Sequence, residues 1–270
     1  MPTNRPVNTF RNVPRSAPAR RSDSRSGASN RLRTFVQRQP LLKRLARFVL
    51  KLALYAFLFS VGWVIVLKFV PIWYTPLIIS RKVDAALEGN SMNVHKTWTP
   101  YDDISKEAAL AVVASEDQAF PYHWGFDFDE IQDAIRENQR RKRPRGASTI
   151  TQQVAKNVFL WNGRSYLRKG LEVYFTLMIE LIWGKKRILE VYLNVAETGP
   201  MTFGVEAASR RYYGHSARTL SRAEAARIAA VLPNPRLFSI ARPSSYIQRR
   251  SRQISRQMRA LGGQAYIRKL

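Results

Sequence analysis

Two acidic residues at the end of an apolar stretch form the part of this chain that is best suited to acid–base chemistry. Glu116 and Asp117 come shortly after the apolar run from Ala108 to Ala114. That run predicts a buried helix, which would bring a carboxylate to the edge of a cleft. Apolar surroundings disfavour a charged carboxylate and raise its pKa, so Glu116 is our first candidate for a catalytic base. The alternative is an ordinary Glu-Asp pair that closes the C-terminus of a helix.

A second cluster of polar side chains opens a predicted helix directly after a basic loop. Ser148 or Thr149 is suited to be its N-cap, and Gln152, Gln153 and Lys156 follow at spacings of three and four residues. Amides, hydroxyls and one ammonium near a helix N-terminus suit an anionic ligand that is rich in hydroxyl groups. Simple capping with a solvated helix face is the alternative.

A second carboxylate, Glu172, follows Arg168 by four residues and Lys169 by three. A surface ion pair is the alternative here, although helix-stabilising pairs prefer the acid N-terminal to the base, which is the opposite order. Two cations beside a carboxylate are suited instead to hold a phosphate leaving group while the acid assists. Further along, Glu190 and Asn194 lie among apolar residues at helical spacing, which predicts that they brace the fold.

Composition excludes several classes of protein. The chain has 270 residues, of which 45% are hydrophobic, so it can form one ordinary domain with extra segments and is not disordered throughout. It contains no cysteine, which excludes disulfides, a thiol nucleophile and a zinc-thiolate site. Its three histidines are too scattered to predict a metal cluster.

The net charge of +26 is unevenly distributed, and the N-terminal part of the chain combines a basic segment with an uncharged one. Residues 1–51 contain thirteen Lys or Arg against one acid, Asp23, and their Pro, Ser and Asn content predicts a disordered basic arm over residues 1–46. Residues 52–67 are uncharged, which predicts a transmembrane helix over residues 47–71; the alternative is a buried helix of a soluble protein. The excess of positive charge places the arm in the cytoplasm and the rest of the chain on the other side of the membrane.

The remaining chain is predicted to be mainly α. Residues 72–97 form a connector, and residues 98–270 form one helical domain, in which no alternating stretch is long enough for a sizeable sheet. The basic loop, residues 140–146, is expected to be solvated and mobile. Apolar periodicity predicts the following helices: 106–115, 128–139, 150–160, 166–183, 187–195, 204–213, 221–232 and 249–261.

The chain contains four short motifs in a fixed order, which together are far stronger evidence for a family than any one motif alone. They read E-D-x-x-F-x-x-H-x-G from Glu116, G-x-S-T-x-T-Q-Q with a following K-N from Gly146, R-K-x-x-E from Arg168, and K-x-x-I-L-E-x-Y-L-N from Lys185. Over residues 75 to 260 the chain therefore resembles the biosynthetic peptidoglycan glycosyltransferases, and in particular the monofunctional ones. One departure is Ala147, where many members have a second glycine; no side-chain chemistry is lost there.

The resemblance implies a lysozyme-like glycosyltransferase domain of mainly α fold behind a single transmembrane helix. It implies that the enzyme polymerises lipid II into linear glycan strands, with inversion at the anomeric carbon and release of undecaprenyl diphosphate. Glu116 would be the general base, with Glu172 as the second catalytic residue, while Asp117 and His123 would shape the turn around Glu116. The implied substrate-binding residues are Ser148, Thr149, Gln152, Gln153, Lys156, Asn157, Arg168 and Lys169.

The same resemblance implies the surroundings of the enzyme. The N-terminus would be cytoplasmic and the catalytic domain periplasmic, on a single span of the cell inner membrane. The expected partners are lipid II, the lipid-linked growing glycan, the membrane, and cell-wall synthesis or division proteins, but no nucleic acid. No protein metal site is expected, although Mg²⁺ or Mn²⁺ is an optional counter-charge at the diphosphate. The chain has no Ser-x-x-Lys and no Lys-Thr-Gly, so no transpeptidase activity is expected.

Two other functions stay open at this point. A lytic glycosidase that cuts mature peptidoglycan would share the fold and the paired carboxylates, but it would not need the cations grouped around Glu172. A membrane-tethered binding protein would use its arginines to hold nucleic acid or acidic lipid, and would leave Glu116 without a role.

Overall fold

A computed structural model describes residues 26–140, 146–163 and 165–270 of the chain. Residues 1–25 of the predicted arm and residues 141–145 of the predicted basic loop lie outside this description. The chain divides into two compact units, Met1–Phe57 and Leu58–Leu270, and every element that forms the site belongs to the second unit.

The first helix, α1, runs Ser26–Phe69, and its part Leu41–Phe69 is long and apolar enough to cross a membrane. Large apolar side chains on this part are exposed, among them Leu50, Phe59 and Trp63. Such a surface fits the hydrocarbon core of a bilayer, which is about 30 Å thick. Helix α1 begins before residue 47, inside the stretch predicted to be a disordered arm. Arg, Leu, Lys and Ala in residues 41–47 are good helix formers, and extending an existing helix is easier than nucleating one.

The mainly α prediction is confirmed, because ten α-helices account for most of the described chain. The helices after α1 are α2 Pro76–Leu87, α3 Lys106–Glu116, α4 Phe128–Asn138, α5 Ile150–Phe159, α6 Tyr166–Trp183, α7 Lys185–Val195, α8 Val205–Tyr213, α9 Arg222–Val231 and α10 Ser245–Ala260. Short 3-10 helices cover Tyr101–Asp103, Ala217–Thr219 and Gly263–Lys269.

Most helix bounds agree with the sequence prediction to within one or two residues. Helix α2 lies inside the predicted connector, where Thr75 caps its N-terminus and Pro76 occupies its first turn. Helix α7 begins at Lys185 rather than at residue 187, because Gly184, with a φ of 74°, separates it from α6. Helix α10 begins at Ser245, capped by Ser244, which is four residues earlier than predicted.

A small sheet joins the connector to the domain. Strand β1, His95–Lys96, pairs in parallel with β3, Thr202–Phe203, and β2, Glu197–Gly199, pairs with β3 in the antiparallel sense. Beside it, the side-chain amide of Asn194 binds both the N–H and the carbonyl oxygen of Thr99, at 2.8 Å each. Asn194 therefore braces the fold, as the sequence predicts.

The helices of the domain form two groups that face each other across the site. Helices α5, α6 and α7 pack on one another with α2 against α5, and we call this group the α5 lobe. Helices α3, α9 and α10 pack on one another, and we call this group the α3 lobe. The end of α1 is seated on the α5 lobe: Trp183 Nε1 donates to the carbonyl oxygen of Val64 at 2.7 Å, and Arg187 donates to that of Leu67 at 2.8 Å.

Candidate active site

Glu116 is the last residue of α3. Seven consecutive residues before it in the helix, Ala108 to Ala114, are buried, so that the α3 lobe fixes the position of the helix end. Asp117 leaves the helical conformation with a φ of −165°, and its N–H closes the helix on the carbonyl oxygen of Val113. Glu116 lies partly buried in the wall of a cavity of about 980 Å³, which we call the Glu116 cavity.

Asp117 joins the end of α3 to the start of α5. Its Oδ2 accepts a 2.9 Å hydrogen bond from the backbone N–H of Ile150, and Nε2 of His123 lies 2.9 Å from its Oδ1. Thr149, the N-cap of α5, donates to the carbonyl oxygen of Gly125 at 2.7 Å. Gly125 has a φ of 79°, and a Cβ there would lie 2.6 Å from a side-chain carbon of α6. Asp117 and His123 thus shape the turn beside Glu116, as predicted.

The surroundings of Glu116 make its carboxyl group a better base than an exposed glutamate. Burial is the largest effect and raises the pKa of Glu116, and the neighbouring charge of Asp117 acts in the same direction. The hydrogen bond from Gln153 and the positive charges of Arg250 and Lys156 lower this pKa, but they do not outweigh burial. A carboxylate with a raised pKa is better matched to taking a proton from an alcohol at neutral pH.

A chain of two hydrogen bonds orients Glu116 from the other lobe. Nε2 of Gln153 on α5 donates to Oε2 of Glu116 at 2.9 Å, and the hydroxyl of Tyr192 on α7 donates to Oε1 of Gln153 at 3.2 Å. Burial raises the pKa of Tyr192 well above its ordinary value, and the charges of Glu116 and Asp117 raise it further, so the phenol remains protonated and able to donate. The amide of Gln153 is thereby held with its donor group toward the carboxylate.

A second cavity, of about 320 Å³, lies beside Gln153 in the α5 lobe. Its wall includes Lys156, Asn157 and Arg168, and we call it the Lys156 cavity. Gln153 lines both this cavity and the Glu116 cavity, so the two meet at its side chain. The carboxylate of Glu116 and the cations therefore belong to neighbouring cavities.

The buried carboxylate of Glu172 organises the cations of the α5 lobe. It accepts a 3.1 Å hydrogen bond from Nη1 of Arg168 and a second hydrogen bond from Nζ of Lys169. Lys156 is exposed at the cavity wall, yet the protein atoms around its ammonium lower its pKa. Glu172 and Glu116 raise this pKa, whereas Arg168 and Lys169 lower it, so Lys156 lies in the field of both carboxylates. Three cations around one carboxylate leave positive charge for an anionic ligand.

The structure separates the predicted substrate-binding residues into two sets. Ser148, Thr149 and Gln153 line the Glu116 cavity, while Lys156, Asn157 and Arg168 line the Lys156 cavity. Thr149 and Gln152 are buried and form a capping box, in which each side chain accepts a hydrogen bond from the backbone N–H of the other. Lys169 and Glu172 line neither cavity. Glu172 binds both Arg168 and Lys169, and the charges of Glu172 and Lys169 act on Lys156.

Sequence reasoning did not identify Arg250 and Tyr192 as site residues. Arg250 on α10 lines the Glu116 cavity, and its Nη2 donates to the carbonyl oxygen of Ser115 at 3.2 Å. The sequence shows a basic final helix, but it does not show which of its arginines faces α3. Tyr192 lies in the fourth motif, where its apolar neighbours predict only a core position.

The carboxylate of Glu172, beside the Lys156 cavity, is already bound by neighbouring cations. Both oxygens of Glu172 already accept hydrogen bonds from the cations Arg168 and Lys169. Within residues 26–140, 146–163 and 165–270, no group of three His, Asp or Glu side chains is placed to hold a metal ion.

Comparison with known proteins identifies the family of this chain. Residues 84–259 match the model of the transglycosylase family. The chain is 50% identical over 230 residues to a biosynthetic peptidoglycan transglycosylase of Pseudomonas fluorescens, which covers 85% of this chain and 96% of that protein. It is 50% identical over 229 residues to one from Chromohalobacter salexigens, covering 85% of this chain and 98% of that protein. A third, from Pasteurella multocida, is 52% identical over 202 residues, covering 74% of this chain and 82% of that protein.

Proposed function

Because this chain belongs to the transglycosylase family and is a peptidoglycan glycosyltransferase that polymerises glycan strands, we propose that Glu116 is the general base of the reaction. The observation that supports this role is the partly buried Glu116 carboxylate in the wall of the large cavity, held by the 2.9 Å hydrogen bond from Gln153. Glu116 takes the proton from the 4-hydroxyl of the N-acetylglucosamine of the acceptor lipid II. That oxygen then forms a bond with the anomeric carbon of the donor.

The bond that breaks joins the anomeric carbon of the donor N-acetylmuramic acid to its diphosphate. Undecaprenyl diphosphate leaves with the electron pair, and the new glycosidic bond is β, with inversion at the anomeric carbon. Lys156 and Arg168 bind the departing diphosphate in the Lys156 cavity, and Lys169 adds its charge from the same helix as Arg168. Glu172 holds Arg168 and Lys169 in place and so acts as a positioning residue.

In this proposal each of the two cavities binds part of the substrates. The acceptor sugar occupies the Glu116 cavity, where Ser148 and Gln153 offer a hydroxyl and an amide. The diphosphate end of the donor occupies the Lys156 cavity, where Asn157 adds a second amide, and the glycan strand of the donor shares the larger Glu116 cavity with the acceptor. The reacting atoms meet beside Gln153, because its side chain belongs to both walls. Thr149 and Gln152 support this arrangement from within the fold by starting α5 at the correct residue.

The outer surface of α6 supports a position of the domain against the membrane. The large apolar residues Tyr166, Leu167, Val173, Leu177 and Leu181 on this helix are exposed. Arg168 and Glu172 belong to the same helix. A diphosphate bound there lies beside a surface that suits the polyprenyl tail, so the tail can stay in the bilayer while its head group reacts.

We place the enzyme on a single span of the cell inner membrane through the apolar part of α1. The thirteen Lys or Arg among residues 1–51 put the N-terminus in the cytoplasm and the catalytic domain in the periplasm. The partners of the domain are then lipid II and the growing glycan.

A purified-substrate assay tests the proposed function against lysis. The full-length protein in detergent micelles or vesicles is incubated with labelled lipid II, and in parallel with mature peptidoglycan. We expect glycan strands and undecaprenyl diphosphate from lipid II, and no release of fragments from mature peptidoglycan. Fragment release without polymer formation would contradict the proposal. The names of the relatives and the cations around Glu172 do not favour the lytic alternative.

A further inference from the structure

The C-terminal part of the domain has a charge that the proposed reaction does not use. Residues 225–270 contain ten Lys or Arg and no Asp or Glu. Helix α10 presents four of these cations, Arg249, Arg252, Arg256 and Arg259, all of them exposed. Their spacings of three, four and three residues place them on one side of the helix. We call these four residues the arginine stripe.

The arginine stripe is not explained by ion pairing inside the molecule. Among the residues that the structure describes, none of the four has an acidic partner. Like charges three or four residues apart on a helix repel one another and weaken it. A row of cations without counter-charge, about 15 Å long at 1.5 Å per residue, is instead suited to a ligand with several anionic groups.

The stripe borders the catalytic site. Arg249 and Arg256 line a hollow of about 370 Å³, whose wall also includes Pro233, Arg250 and Gln253. These last three residues also line the Glu116 cavity, so the hollow continues from it. On the other side, Arg252, Arg256 and Arg259 line a further hollow of about 460 Å³. A ligand that leaves the Glu116 cavity along α10 therefore meets the four arginines in succession.

The position of α10 favours a soluble polyanion over a lipid surface. Helix α10 packs on α3 and α9, whereas the end of α1 is held by Trp183 on α6 and Arg187 on α7. The exposed apolar residues of α6 are also on the α5 lobe. The arginine stripe thus belongs to the lobe that does not hold the membrane helix.

We propose that the arginine stripe binds the glycan strand through the free carboxylates of its stem peptides. Peptidoglycan strands repeat these carboxylates along their length, and a row of arginines next to the reaction site matches a repeated anion better than a single one. Arginine suits this role because its guanidinium group forms paired hydrogen bonds with a carboxylate. This inference rests on the proposed function. Its consequence is that the enzyme retains the strand between additions.

Binding of soluble strands tests the proposal. The full-length protein in detergent is titrated with uncross-linked peptidoglycan strands that retain their stem peptides, and with the same strands after an amidase has removed them. The test variant replaces all four arginines, R249Q/R252Q/R256Q/R259Q. The control variant replaces four other cations outside the site, K82Q/K106Q/K186Q/R218Q. We expect the test variant to bind peptide-bearing strands on the order of tenfold more weakly, since each exposed ion pair contributes a fraction of a kcal/mol.

The control variant, the peptide-free strands and the length of the product strands give further expected results. The control variant should bind like the wild type, and strands without stem peptides should bind weakly to every variant. The product strands of the test variant should be shorter, while its rate for the first transfer stays unchanged. Equal binding of the test variant and the wild type would overturn the proposal, as would equally tight binding of peptide-free strands. Weaker binding of the test variant to anionic vesicles alone would overturn it in favour of a lipid surface.

Two further measurements keep the test independent of folding and of the proposed function. Circular dichroism compares the folding of all variants, and the double variant R252Q/R256Q replaces the fourfold one if that does not fold. E116Q should bind strands like the wild type, because it keeps the stripe. If the wild type binds strands but makes no polymer, the proposed function fails while the stripe remains; if it makes polymer but the stripe has no effect, only the stripe proposal fails.

Discussion

The amide of Gln153 on α5 donates a 2.9 Å hydrogen bond to the carboxylate of Glu116 at the end of α3. This bond joins the two lobes at the point where the two cavities meet. It also occupies Oε2 of the carboxylate, whereas Oε1 accepts no hydrogen bond among the described residues. The position of the proposed base therefore depends on a residue of the opposite lobe.

Replacing Gln153 should change both the rate and its dependence on pH. The hydrogen bond from Gln153 stabilises the charged carboxylate and lowers the pKa of Glu116. In Q153A this pKa rises, so we expect the acidic limb of the pH–rate profile to move to higher pH, with a loss of about tenfold in kcat from poorer orientation. The measurement is polymerisation of lipid II across a pH series. Y192F, which only frees the amide of Gln153, should show a smaller shift in the same direction; an unchanged profile in both variants would contradict this account.

Arg250 should act as a positioning residue at the end of α3. Its guanidinium group binds the carbonyl oxygen of Ser115, and its charge lowers the pKa of Glu116. We expect R250Q to move the acidic limb of the pH–rate profile to higher pH and to lower kcat several-fold, and R250K to restore the limb because it keeps the charge. R136Q, a change at an exposed position outside the site, is the control. A purely structural role for Arg250 predicts a lower thermal stability of R250Q with an unmoved pH profile.

Glu116 should lower the stability of the folded protein at neutral pH. Its folded-state pKa is raised above the ordinary value, so the fold favours the protonated carboxyl group. The stability that this group contributes is present below the unfolded-state pKa and is lost as the pH rises through the folded-state pKa. E116Q should therefore be more stable than the wild type at pH 7 and no more stable at pH 4. Thermal unfolding of both proteins at the two pH values tests this; a less stable E116Q at pH 7 would contradict it.

Loss of the cations should weaken binding of the donor diphosphate more than binding of the acceptor. We expect R168Q to slow the reaction by at least tenfold, because the charge that binds the departing diphosphate is reduced. E172Q should have a comparable effect, since it removes the negative charge and one of the two acceptor oxygens that hold Arg168 and Lys169, and it should also lower the thermal stability. Binding of a soluble diphosphate, measured by calorimetry, should weaken in R168Q and remain in E116Q. Equal diphosphate binding in R168Q and the wild type would show that the cations have another role.

Hydrophobic periodicity and capping residues predict most of the helices of this domain. Helix α6 has the predicted bounds, since Ser165 caps it and Gly184 ends it. Helix α3 extends only one residue further than predicted, to Glu116, because Asp117 departs from helical geometry. Helix α10 begins four residues before the predicted start, because Ser244 caps it and Ile247 in its first turn packs into the core.

The sequence predicts only those parts of the site whose residues are close together in the chain. The capping box at Thr149 is local, and its residue types and spacing predict it. The ion pair of Arg168 with Glu172 is local too, although it runs against the order that helix-stabilising pairs prefer. The contacts of Glu116 with Gln153 and of Ser115 with Arg250 join different lobes, and a single sequence contains no signal for such a contact. Gln152 and Gln153 illustrate this limit. They are neighbours of one residue type, yet one forms the cap and the other contacts the proposed base.

The rate of lipid II polymerisation by E116Q tests the central claim most directly. Glutamine keeps the size of the side chain and cannot accept a proton, and general base catalysis typically contributes about 10² to 10⁴-fold to a rate. We predict a loss of that order in single-turnover polymerisation, with unimpaired folding and with retained binding of lipid II and of soluble diphosphate. A folded E116Q that polymerises lipid II at a rate near that of the wild type would contradict the assignment of Glu116 as the base.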